Sequence, residues 1–65
     1  MSGPQWIEFT TPEGTTGRLT ADQVEMIIKR PDTDAGAIHT VLGEIIRIVD
    51  ASRALAQWRK SWELA

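Results

Sequence analysis

Ala37-Ile38-His39-Thr40-Val41-Leu42-Gly43-Glu44-Ile45-Ile46-Arg47-Ile48-Val49 is the stretch that decides the fold, because two architectures compete for it. Half of residues 38–49 are Ile or Val, and β-branched side chains lose rotamer freedom in a helix but pack well on a pleated surface. With Gly43 interrupting the run, this predicts two strands turning at Leu42-Gly43. Against it, Ile38, Val41, Ile45, Ile48, Ser52, Leu55, Arg59 and Trp62 recur at spacings of three and four, which also fits one helix from about 34 to 64. Gly43 in mid-pattern, with Ser52 and Arg59 on the seam, weighs against a coiled coil, so the hairpin is preferred.

Upstream, Pro31 to Gly36 has the composition of a loop. Before it, Thr20-Ala21-Asp22-Gln23 has the form of a capping box, and Leu19 with Val24 has staple spacing, so a helical turn starts there. Val24 to Lys29 either continues that helix or alternates as a strand running up to Pro31; one short turn followed by a strand is preferred. At the front of the chain, Ile7 and Phe9 alternate with Trp6, Glu8 and Thr10 as core-facing residues of a strand. Pro12-Glu13-Gly14 then turns the chain into a second strand through Leu19.

Downstream, Asp50 suits an N-cap, and Ala51, Leu55, Trp58, Trp62 and Ala65 share one helical face, with Arg53, Gln57 and Lys60 on the other. Too short to be stable alone in water, this helix is expected to dock its Leu55 and Trp58 face on the sheet. The fold expected is therefore mainly β with a C-terminal α-helix in a single domain, residues 1–65. A disordered tail, 1–4, precedes a small antiparallel β-meander of two hairpins plus a middle strand, 5–49, packed by one helix, 50–64. The alternative is an N-terminal β-hairpin followed by two helices.

A chain of 65 residues has room for one small core and none for a large catalytic cleft. Without cysteine it has no disulfide framework or thiolate zinc site, so stability rests on packing or association. No apolar run approaches the ~20 residues of a membrane span, and Met1-Ser2-Gly3-Pro4 lacks the features of a secretory signal; a cytoplasmic, bacterial or phage protein is expected. Residues 1–50 carry four basic and eight acidic side chains, net −4, whereas 51–65 carry Arg53, Arg59 and Lys60 against Glu63, net +2. Such a charge map disfavours nucleic-acid binding over the whole surface, because counterion release needs a clustered basic footprint.

The residues offer no catalytic constellation. His39 is the only histidine and has no cysteine or second histidine to share a metal, and Asp32 with Asp34 reads as a solvated turn rather than a calcium loop. Gly14 and Gly17 do not have phosphate-loop spacing, and Ser2, Ser52 and Ser61 lack a nearby base. Neither catalysis nor a cofactor is expected. Three tryptophans beside one Phe and no Tyr stand out, since large aromatics dominate both small cores and interface hot spots. Trp58 reads first as core, Trp62 as core rim or contact, and Trp6 as an outward residue of the first strand.

The order of elements around Leu19-Thr20-Ala21-Asp22-Gln23-Val24, Pro31-Asp32-Thr33, the hairpin at Gly43 and Val49-Asp50-Ala51-Ser52 resembles the small FlbD-like (SwrD-like) flagellar-associated proteins over residues 5 to 58 or so. The corner lacks the family's Asn-Pro, Leu-Gly replaces Asn-Gly, and the Trp58-Arg59-Lys60-Ser61-Trp62 tail has no counterpart. The resemblance implies an accessory factor acting through protein contacts. The expected function is thus a non-catalytic interaction module, homo-oligomeric, using Trp6, Glu8, Trp58, Arg59, Lys60, Trp62 and the open sheet edges against a protein partner or itself. A single-stranded nucleic-acid binder, stacking on Trp6 and tracking phosphates with Arg53, Arg59 and Lys60, is the runner-up. A phage- or plasmid-encoded inhibitor of a host protein is a third reading.

Overall fold

The computed structural model describes residues 5–63. Two antiparallel sheets and one helix make up the fold: β1 (Trp6–Thr10) pairs with β2 (Thr16–Thr20), and β3 (Val24–Lys29), β4 (Gly36–Thr40) and β5 (Ile45–Ile48) form a second sheet in that order. Helix α1 (Ala51–Glu63) follows and packs against β1 and β3. The hairpin reading of residues 37–49 holds over the long helix, and so does the short turn before a strand. That turn is a 3-10 turn at Ala21–Gln23, where the Gln23 side chain accepts the Thr20 N–H at 3.1 Å. It also breaks the meander, because β2 and β3 do not pair and each belongs to its own sheet.

Local chemistry explains the two hairpins. Gly14 and Gly43 hold φ of +89° and +90°, the left-handed region that only glycine enters without penalty. Each closes a turn: Gly14 N–H bonds Thr11 O at 2.9 Å, and Gly43 N–H bonds Thr40 O at 3.0 Å. Strand β3 carries a bulge between Val24 and Met26, which turns Val24 and Ile27, three apart, to the same interior.

Between the sheets and α1 lies a core of Ile7, Phe9, Val24, Ile27, Ile38, Ile48, Ala51 and Ala54. Ile7, Ile38 and Ile48 are fully enclosed, one from each of β1, β4 and β5, and each such burial stabilises the fold by about 1.5–3 kcal/mol. The helix keeps the expected stripe only in part, at Ala51 and, less deeply, at Leu55 and Trp58. Its enclosed residues are Ala51, Ala54 and Ser61, while Leu55 and Trp58 are only partly buried and Trp62 stands 63% exposed. Close approach is the reason: a Cβ on Gly36 would lie 2.9 Å from Ala51 Cβ, so the first turn of α1 rests on β4 through its smallest side chains. The expected tail, residues 1–4, and the expected helical positions at 64 and 65 lie outside the described residues.

Asp50 stands at the N-cap position, where its C=O accepts the Ala54 N–H at 3.2 Å, but its side chain does not cap the helix. Its Oδ1 accepts the Thr10 N–H at 2.9 Å and its Oδ2 pairs with Arg53 at 3.2 Å. The cap comes instead from the loop before β4: Asp34 Oδ1 accepts the Ser52 N–H and Asp34 O accepts the Ala51 N–H, both at 2.9 Å. Asp34 is exposed, as expected of a solvated turn, and is in addition a structural residue that caps α1. The Ser52 hydroxyl and then its N–H hold the Asp34 carboxyl below the ordinary carboxylate value.

Candidate interaction surface

Sheet geometry puts cross-strand partners on one face. Ile27, Ile38 and Ile46 form one row toward the core, so the alternate rows, Met26–His39–Ile45 and Ile28–Ala37–Arg47, form the outer face of the three-stranded sheet. That face is open and four of its six positions are apolar: Met26 and Ile28 are exposed, and Ile45 is 63% exposed, beside His39 and Arg47. The β4–β5 tip continues it with Val41 and Leu42, the latter 84% exposed, and Val49 adds to it at the far end. An open groove of about 580 Å³ runs along this side, lined by Pro12, Ile28, Ala37, Ile45, Arg47 and Val49 among others.

The six residues expected to form a site are spread over two other places. Trp6 is 44% exposed on the outer side of β1, and the Arg18 guanidinium carbon sits 4.8 Å from its ring centroid, a cation–π contact that covers one face of the indole. Glu8 lies opposite Arg18 in the same hairpin, beside a smaller hollow of about 440 Å³ that Arg53 also lines. On α1, Trp58 and Trp62 meet edge to face with centroids 4.6 Å apart, and Arg59 and Lys60 are exposed next to them. Trp58 thus joins the core only in part and serves as the support on which Trp62 stands.

Sequence reasoning passed over Met26, Ile28, Val41, Leu42, Ile45 and Val49. A signal was present in the doublets Ile27-Ile28 and Ile45-Ile46, since consecutive apolar residues in a strand mark two apolar faces where alternation would mark one. Gln57 was also read to the polar side; it is half-buried and its Oε1 accepts the Glu8 N–H at 2.7 Å, tying α1 to β1.

For chemistry the arrangement holds little. His39 sits on the outer face between Met26 and Ile45, and among the described residues no three His, Asp or Glu side chains gather closely enough to hold a metal ion. Asp34 and Asp50 are engaged in holding the helix. For nucleic acid, Arg18 occupies a face of Trp6 on which a base would stack, and Arg53 is paired with Asp50. No helix among the described residues is long and apolar enough to cross a membrane. No family model, curated protein or solved structure matches this chain.

Proposed function

We propose that this chain is a non-catalytic protein-interaction module of the cell interior that acts by burying exposed apolar surface against a protein partner. The observation that supports this reading most is the outer face of the β3–β4–β5 sheet. Among the described residues, six of the eight large exposed apolar side chains, Met26, Ile28, Val41, Leu42, Ile45 and Val49, belong to that sheet, its hairpin tip or its exit. Contiguous apolar surface of this kind on a small chain marks a contact site rather than a scatter of single exposed residues. Trp62, propped by Trp58 and flanked by Arg59 and Lys60, supplies a second contact point with a charged rim. An accessory factor of the kind the FlbD-like pattern implies would act in the same way.

The test is photo-crosslinking in cells of the natural source, with a photoreactive residue at position 28 or 62 and, as control, at exposed Glu13 in the first turn. Discrete protein adducts from 28 or 62, absent from 13, are expected. Adducts no stronger than those of the control at both positions would overturn the reading.

A further inference from the structure

The outer edges of β1 and β5 are in different states. In the first sheet, Thr11 N–H bonds Thr15 O, so the hydrogen-bonded pairs of the ladder fall at 11/15, 9/17 and 7/19, and the backbone groups of Glu8 and Thr10 point away from β2. Three of these four groups are engaged. Gln57 takes the Glu8 N–H, Asp50 takes the Thr10 N–H, and the Val49 N–H bonds Thr10 O at 2.9 Å.

In the second sheet, the Thr40 N–H to Glu44 O bond sets the hydrogen-bonded pairs at 40/44, 38/46 and 36/48. The N–H and C=O of Ile45 and Arg47 therefore point away from β4, and β5 has no other partner strand among the described residues. The opening has two ends: the turn at Gly43 bounds one, and Thr10, bonded to Val49, bounds the other. No proline and no inward charge guards it.

We infer that a second copy of this chain fills this edge, its β5 running antiparallel to the first about a two-fold axis at Ile46. This deepens the interaction reading above and rests on it. A two-fold normal to the sheet keeps each side chain on its own face, so only registers that pair residues of equal parity arise. With Ile46 opposite Ile46 of the second copy, Ile45 of each copy faces Arg47 of the other. Four backbone hydrogen bonds then satisfy all eight open groups.

Neighbouring registers fail on charge and on hydrogen bonding. A shift one way sets Arg47 directly opposite Arg47, a repulsive pair, and calls on the Val49 N–H already given to Thr10. Shifting the other way sets Arg47 opposite Gly43, whose N–H is given to Thr40 and whose φ of +90° takes the chain out of the strand. In the Ile46-centred register the aliphatic stem of Arg47 covers the exposed Ile45 of the other copy. The same axis carries the Leu42 tip of each copy toward Pro12 and Val49 of the other, at the end of the groove, which gives the most exposed large apolar side chain among the described residues a place to be buried.

Length favours a second copy over a longer foreign strand, since an incoming strand has to stop at Thr10 and β5 does so by turning at Gly43. A stable interface buries about 800 Å² per partner, and four strand residues with one inserted Leu make a contact toward the small, concentration-dependent end of that range.

Sedimentation velocity from about 10 μM to about 1 mM tests this, with the mass expected to rise from 7.2 kDa to twice that. Ile45→Lys, which puts Lys against Arg47 at both ends of the pairing, should stay monomeric with an unchanged circular dichroism spectrum. The double variant Ile45→Lys/Arg47→Glu, which restores opposite charges across the same register, should recover the dimer. A wild type that stays monomeric overturns the second copy, and persistent crosslinks from positions 28 or 62 would then leave the interaction reading standing. An Ile45→Lys variant that still dimerises, or a folded double variant that does not, overturns it as well.

Discussion

Replacing Asp50 by Ala probes how the helix closes the edge of β1. Asp50 Oδ1 is the acceptor for the part-buried Thr10 N–H, and Ala leaves that donor unmatched at a cost of about 1–3 kcal/mol. Loss of the exposed pair with Arg53 adds up to about 0.5 kcal/mol. Removing a negative charge beside the first turn of α1 adds about 0.3–1 kcal/mol. Together these give about 1.5–4.5 kcal/mol, a large part of the roughly 3–10 kcal/mol available to a domain of this size. In a thermal melt this corresponds to a Tm lowered by about 6–35 °C. Asp50→Asn keeps an oxygen for Thr10 and loses only the charge, so it should cost about 1 kcal/mol. Urea titration of the three proteins by circular dichroism at low protein concentration measures both differences. If Ala and Asn prove equally mild, the Thr10 bond does not hold the edge and the reasoning fails.

Two further outcomes follow from the same packing. Gly36→Ala places a Cβ into the Ile28 carbonyl oxygen and 2.9 Å from Ala51 Cβ, so β3 or the start of α1 has to move; stability should fall by about 1–3 kcal/mol, and an unchanged urea midpoint would contradict the close approach of helix and sheet. Asp34 binds Ser52 as a carboxylate with its pKa below 3.8, so its contribution is complete above that value and is lost as the pH falls through the lower value of the folded chain. Melts taken from neutral pH into that range should show a steeper loss of Tm for the wild type than for Asp34→Asn, and parallel curves would remove Asp34 as the cap.

Much of this architecture was readable because local and tertiary preferences agree. Ile and Val crowd residues 38–49 around a glycine, and Gly14 and Gly43 fall where a left-handed turn is needed, so pattern alone places both hairpins. What pattern could not place depends on residues far apart in the chain. The buried helix stripe runs through Ala51 and Ala54 because Gly36, fifteen residues earlier, opens room for a close approach, whereas a stripe judged on side-chain size selects Leu55, Trp58 and Trp62. Asp50 looks like a cap by its position, but its partner is the backbone N–H of Thr10, forty residues away, and Asp34 takes the capping place across eighteen. The candidate surface was legible only in part for a similar reason. Trp6 and Trp62 are conspicuous by type, while the exposure of Ile28 and Ile45 follows from strand order, which leaves one face of the second sheet uncovered.

Amide hydrogen exchange, residue by residue and at two protein concentrations, tests most directly the claim that Asp50 and α1 engage the β1 edge while the β5 edge is left for a second copy. Glu8 and Thr10 should be protected equally at about 10 μM and about 1 mM, because Gln57 and Asp50 bind them within one chain. Ile45 and Arg47 should exchange freely in dilute solution and become protected in concentrated solution. Protection of Ile45 and Arg47 at neither concentration, or to the same degree at both, would contradict the account.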